Sequence, residues 1–120
     1  SNWKLAIINL MGLVSMPQVL NPFTQAISTI EELNKNNIKH IFIDFHAEAT
    51  AEKRILMQLL KGKVSAICGT HTHVGTDDLQ IVEGTFYVTD VGLTGCRDNV
   101  IGMDNKTPIQ KALTGLSGHF

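Results

Sequence analysis

The sequence lacks an excess of either charge and is poor in cysteine. Ten Lys and Arg residues stand against eleven Asp and Glu residues, which gives a net charge of −1. The overall field of such a protein does not draw it to nucleic acid or an anionic membrane, so a phosphate-bearing ligand must be bound at a local site. The two cysteines, Cys68 and Cys96, do not form a C-x-x-C pair. This spacing indicates neither a redox motif nor a disulfide scaffold, and we expect both to be reduced thiols.

Long apolar runs are also missing. The longest, such as residues 5–10, fall far short of the roughly 20 residues that a membrane-spanning helix needs. The start of the sequence has neither the basic nor the apolar region of a signal peptide. We therefore expect a cytoplasmic protein with no membrane partner. With 120 residues, 43% of them hydrophobic, residues 1–120 are predicted to form a single domain.

Strand-like and helix-like segments alternate along the first part of the chain. Apolar, partly β-branched runs typical of buried strands cover residues 4–10, 38–45 and 64–69. Amphipathic segments lie between them, one from Pro22 to about Asn36 and one over residues 51–61. The β-α-β-α-β order indicates parallel strands joined by crossover helices, and therefore an α/β fold.

The remainder of the chain predicts a hairpin and one more helix. Residues 79–82 and 85–91 have strand character and are separated by a short polar turn. Residues 107–113 are predicted to be helical, with Pro108 at the first position and Gly115 beyond the end. An antiparallel hairpin beside parallel strands makes the predicted sheet mixed, with flanking helices.

Three histidines lie where two of the predicted strands end. His46 closes the second strand, and His71 and His73 follow the third in Gly-Thr-His-Thr-His. Ligands of open α/β sheets bind outside the carboxyl ends of the strands, so the three are predicted to share one edge. If the backbone stays extended, His71 and His73 point to the same side. Neutral imidazoles suit zinc, manganese or iron, and the alternative is that each is a polar residue at a loop edge.

Three carboxylates are candidates to support these histidines. Asp44 has the same strand parity as His46, and Glu48 has it only if the strand continues. Asp90 ends a strand just before a glycine-rich turn. Each is a candidate to accept a hydrogen bond from an imidazole and so hold its tautomer, and each has a structural alternative.

Other polar residues are predicted to lie outside the site. His40 begins the second strand, at the end opposite to His46, and His119 lies in the tail. The Asp77-Asp78 pair is expected to form a solvated turn.

Four short motifs together resemble a known family. They are Asp-Phe-His-Ala-Glu at 44–48, Gly-Thr-His-Thr-His-Val at 69–74, Thr-Asp-Val-Gly-Leu-Thr-Gly at 89–95 and Val-Ile-Gly-Met at 100–103. The combination is similar to the C-terminal half of the YmdB-like metallophosphoesterases, bacterial relatives of the calcineurin-like phosphoesterases. The resemblance implies that residues 1–120 are the C-terminal fragment of a longer enzyme. It also implies half of a four-layer α/β/β/α sandwich.

The resemblance further implies a two-metal site and a phosphodiesterase activity. His46 and His71 would bind one metal and His73 the other, with iron or manganese, or else zinc, as the metals. The substrates would be phosphoesters, with 2′,3′-cyclic nucleotides as the class, and the metals would activate water for attack on phosphorus.

The family's other ligands have no match in this chain. An early Asp, a bridging Glu, Asn residues and a His general acid would belong to the N-terminal half, so no catalytic residue is assigned here. Three imidazoles cannot offset the charge of two metals. We expect at most one weakly bound metal in this chain and no activity from it alone. Half of a sandwich also exposes an apolar sheet face, which predicts a homo-oligomer.

Two alternative functions remain open. One is a self-sufficient hydrolase with a single zinc held by His46, His71 and His73. The other is a non-enzymatic oligomeric or binding module. One tight zinc per chain would favour the first alternative, and no metal would favour the second.

Overall fold

The computed structural model describes residues 3–17 and 20–116, which form five strands and three helices. In chain order they are β1 (Leu5–Met11), α1 (Pro22–Lys35), β2 (His40–His46), α2 (Thr50–Leu60), β3 (Ala66–Thr70), β4 (Gln80–Val82), β5 (Thr85–Val88) and α3 (Lys106–Thr114). Each predicted element is present, in the predicted order. His119 lies outside the described residues.

Local signals explain where α1 begins and where α3 ends. The side chain of Asn21 accepts hydrogen bonds from the backbone N–H groups of Phe23 and Thr24, at 2.9 and 3.2 Å, and Pro22 is the first helical residue. Gly115 ends α3 with a φ of 71°. The predicted start of α3 was wrong, because the helix begins at Lys106 and Pro108 is its third residue.

The sheet is mixed, with the strand order β1-β2-β3-β5-β4. β1, β2, β3 and β5 pair in parallel, and β4 pairs antiparallel with β5 at one edge. The predicted α/β fold with a mixed sheet is confirmed. The second hairpin strand ends at Val88 rather than at residue 91. The reason lies in the next residue, since the backbone N–H of Thr89 donates to the Asp78 carboxylate at 3.0 Å instead of to a neighbouring strand.

The two faces of the sheet differ in their cover. On one face, α1 and α2 pack over a core that includes Ile41, Ile43 and Phe45 of β2, all with no exposed surface. The opposite face is here called the bare face. It is lined by Leu5, Ile7, Phe42, Ala66 and Phe86, which are exposed or half-buried. One side of a mostly apolar sheet therefore remains in contact with solvent.

Among residues 3–17 and 20–116, no helix is both long and apolar enough to cross a bilayer. The longest, α1, has 14 residues.

Candidate functional site

The strand register brings the predicted residues to one edge of the sheet. Met11, His46 and Thr70 are the last residues of β1, β2 and β3 and lie side by side in the ladder. Alternation along β2 directs His46 and Asp44 to the bare face, because Ile43 and Phe45 face the helices. The carboxyl edge of the sheet, where these two polar side chains lie, therefore borders the bare face.

A hydrogen-bonded chain fixes the ring of His46. The Thr70 hydroxyl donates to Asp44 Oδ1 at 2.8 Å, so its oxygen is left to accept from His46 Nδ1 at 3.1 Å. Nδ1 then carries the hydrogen, and Nε2 presents its lone pair. Asp44 acts on His46 through Thr70, a residue that parity alone did not single out.

His71 lies against this lone pair. Its Nδ1 is 3.0 Å from His46 Nε2, and the ring centroids are 4.7 Å apart with the planes nearly perpendicular. Its Nε2 is 2.7 Å from Glu48 Oε2. Glu48 therefore meets His71 rather than His46, because β2 ends at His46 and the chain turns toward α2. The expectation that depended on a continued strand does not hold, although the carboxylate still reaches an imidazole.

The backbone between the two later histidines is not extended, so that premise of the prediction was wrong. His71 has a φ of 105° and His73 a φ of 65°, both in the left-handed region. His73 is exposed, and its Nδ1 donates to the carbonyl of Ile101 at 2.9 Å. This bond leaves Nε2 of a neutral His73 without a hydrogen, and that nitrogen is available to a ligand.

Asp90 lies behind the histidines, not among them. Its side chain is 1% exposed and forms an ion pair with Lys53 of α2, at 3.0 Å. Burial raises the pKa of Asp90, but hydrogen bonds from Gly92, Thr72 and Lys53 outweigh burial and hold the pKa below its ordinary value. Lys53 was not predicted. Its place three and four residues before Leu56 and Met57, on the apolar stripe of α2, was the available signal.

One further expectation changed. Asp78 does not lie in a simply solvated turn, because its carboxylate accepts hydrogen bonds from Thr76 and from the backbone and hydroxyl groups of Thr89.

Cys68 and Cys96 are free, as expected. Burial, with a smaller effect of the Asp44 charge, raises the pKa of Cys68 and keeps it a thiol. His40 lies at the far end of β2 with its ring 5.0 Å from that of Trp3.

Two of the histidines have the geometry of neighbouring metal ligands. Nitrogens that bind one metal at about 2.1 Å lie about 3.0 to 3.4 Å apart, and His46 Nε2 and His71 Nδ1 are 3.0 Å apart. Both outer nitrogens of the pair have oxygen partners that favour the required tautomers. Within the described part of the chain, however, no three His, Cys, Asp or Glu side chains are grouped to hold a metal. The pair fits part of a metal site.

The mixed sheet has helices on one face only and carries polar side chains at the carboxyl ends of its strands. This arrangement places the protein in the α/β class. The chain belongs to the YmdB-like protein family, whose model matches residues 1–120. It is 48% identical to a 2′,3′-cyclic-nucleotide 2′-phosphodiesterase of Bacillus subtilis over 98% of this chain and 44% of the relative. It is 41% identical to a putative phosphatase/phosphodiesterase of Mycoplasma genitalium over 93% of this chain and 40% of the relative.

Solved structures have the same fold. A hypothetical protein from Thermus thermophilus superposes with a TM-score of 0.88 at 38% identity, over 97% of this chain and 45% of the other. A novel phosphatase from Mycoplasma pneumoniae gives a TM-score of 0.84, also at 38% identity, over 95% and 41%. This chain therefore spans less than half the length of these relatives.

Proposed function

We propose that this chain is the C-terminal part of a metal-dependent phosphodiesterase that hydrolyses phosphoesters of the 2′,3′-cyclic nucleotide class. The observation that carries the proposal is the pair of imidazole nitrogens, 3.0 Å apart, at the carboxyl edge of the sheet. The name of the Bacillus subtilis relative supports the substrate class.

In this proposal His46 and His71 hold one metal and His73 contributes to the other. Metals of this kind lower the pKa of water and stabilise charge on phosphoryl oxygens, and iron, manganese or zinc would supply that chemistry. The chain's own part is to hold the imidazoles. Thr70 and Asp44 keep the Nε2 lone pair of His46 free, and Glu48 does the same for Nδ1 of His71 by accepting from its Nε2.

The remaining ligands are proposed to come from a segment beyond this chain. The side chains of His46 and Asp44 lie on the bare face of the sheet. A second sheet that covered this face would therefore bring its own carboxylates next to the imidazoles. Without those carboxylates we expect at most one weakly bound metal per chain and no phosphodiesterase turnover. We also predict that the intact protein binds two metals and a small phosphoester substrate, and that it is cytoplasmic.

The alternative of a single zinc held by three histidines has less support. It needs His73 beside the other two, but its described ring contact is with the carbonyl of Ile101. A non-enzymatic module remains distinguishable by experiment, since it requires no metal at all.

The ligand assignment is tested by His71→Ala, with His40→Ala as the matched control. In the intact protein His71→Ala should weaken Mn²⁺ binding more than about 100-fold, since loss of an outer partner alone costs about 10- to 100-fold. Turnover of a 2′,3′-cyclic nucleotide should fall with it. His40 lies at the opposite end of β2, so its replacement should leave both unchanged.

The measurements are calorimetric metal titration and a phosphodiesterase assay, on the intact protein and on this chain alone. Unchanged turnover of His71→Ala would reject the assignment. Strong turnover by the chain alone would reject the claim that a further segment is required.

A further inference from the structure

A buried ion pair lies directly behind the loop that carries His71 and His73. Lys53 Nζ on α2 is 3.0 Å from Asp90 Oδ2, and both side chains are 1% exposed. Removing two charges from water is costly unless each has close partners, so such a pair needs a reason to be there. The partners of the carboxylate supply one.

The Asp90 carboxylate holds the residue between the two histidines. Oδ2 accepts from the Thr72 backbone N–H at 3.1 Å and from the Thr72 hydroxyl at 2.8 Å. Oδ1 accepts from the backbone N–H of Gly92 at 2.8 Å. One carboxylate therefore fixes Thr72 by both backbone and side chain, with Lys53 balancing its charge.

The backbone on both sides of Thr72 is strained. His71 and His73 have φ values of 105° and 65°, in a region that residues other than glycine avoid because the Cβ atom clashes with the backbone there. Such a conformation persists only where surrounding contacts impose it. The double hold on Thr72 is such a contact, and the left-handed backbone determines where the two imidazoles point.

Gly69 makes room for this arrangement. A Cβ at this position would lie 2.8 Å from Cδ of Lys53 and 1.7 Å from the carbonyl oxygen of Thr89. The lysine stem crosses β3 at the residue without a side chain and so reaches Asp90. The glycine of the Gly-Thr-His-Thr-His motif thus leaves room both for the Thr89 carbonyl and for the lysine side chain that reaches Asp90.

We propose that Lys53 and Asp90 are positioning residues, which act through Thr72 to set the imidazoles of His71 and His73 for metal binding. The metal-binding part rests on the proposed function. The positioning part stands on contacts within this chain and can be tested without metal.

The test compares Thr72→Val, which removes the hydroxyl and keeps the shape, with Thr72→Ser, which keeps the hydroxyl. In the full chain without metal, ¹⁵N NMR of the imidazoles reports the tautomers and surroundings of His71 and His73. Thr72→Val should shift these signals, and Thr72→Ser should leave them near those of the unmodified protein. In the intact protein, Co²⁺ affinity, followed by visible absorption, should fall about 10- to 100-fold in Thr72→Val and be restored in Thr72→Ser.

The outcomes separate the two proposals. Unchanged imidazole signals in a folded Thr72→Val protein would overturn the positioning role, whatever the metal affinity. If the intact protein binds no Co²⁺ but the imidazole signals shift as expected, positioning holds and the proposed metal-dependent function fails. As a second variant, Lys53→Met combined with Asp90→Asn removes both charges together, so neither is left buried alone, and it should shift the same signals.

Discussion

At the scale of single residues, the most informative groups are the two carboxylates that the fold keeps charged. Burial raises the pKa of Asp78, but hydrogen bonds from Thr76 and Thr89 outweigh it and hold the pKa below its ordinary value. Asp90 is held low in the same way. A depressed folded-state pKa contributes stability that is present above the unfolded pKa, about 3.9, and is lost as pH falls through the folded value.

The free energy of unfolding should therefore fall as pH is lowered below about 4, and Asp78→Asn should reduce this dependence. The amide cannot ionise, so one of the groups that titrates differently in the two states is removed. Urea unfolding followed between pH 7 and pH 3 measures the effect. Asp77→Asn, at the exposed neighbouring position, is the control and should follow the unmodified protein. Equal pH slopes for Asp78→Asn and the unmodified protein would contradict the prediction.

The positions of His46 and Asp44 could be predicted from sequence, but the backbone conformation of His71 and His73 could not. Strand ends and parity indicated that His46 lies at the carboxyl edge with Asp44 beside it, and the strand register agrees. The left-handed backbone of His71 and His73 was not predictable, because it depends on a carboxylate that is 18 residues from Thr72 in sequence. Local spacing carries no information about such a contact.

At the scale of elements, boundaries followed their local signals where these were strong. Asn21 with Pro22 fixed the start of α1, and Gly115 fixed the end of α3. The start of α3 was misjudged, since a proline fits any position in the first turn, where the N–H has no helical partner. The early end of β5 depends on Asp78, a contact between distant residues that no periodicity reports.

The close packing of β3 against the segment after β5 predicts that Gly69→Ala is severely destabilising. The added Cβ would lie 1.7 Å from the backbone oxygen of Thr89, which cannot move aside as a side chain can. The expected loss is about 4 kcal/mol or more in the free energy of unfolding. Gly75→Ala is the matched control, because the nearest atom to its Cβ would be 3.7 Å away, in ordinary contact. Urea unfolding of both variants would contradict the prediction if they proved equally stable.

At the scale of the whole molecule, the fold has two layers, the sheet and the helices on one of its faces. A third layer would be needed to bury the other face of the sheet. The sequence predicted an exposed apolar face from the resemblance to half of a sandwich, and the bare face is apolar and accessible. The candidate site opens at its border through His46 and Asp44. Whatever covers this face therefore also approaches the imidazoles, which connects assembly with metal binding.

If nothing else covers the bare face, two copies should pair through it. We predict that the chain sediments as a dimer or larger species at tens of micromolar, and that Ile7→Lys makes it monomeric. Ile7 is 66% exposed on the bare face, so a lysine there should leave the fold intact while burying its charge in any pairing. Ile55→Lys is the control, since Ile55 is 49% exposed on α2 and lies away from that face. A monomeric unmodified chain, or monomers from both variants, would refute pairing through the bare face.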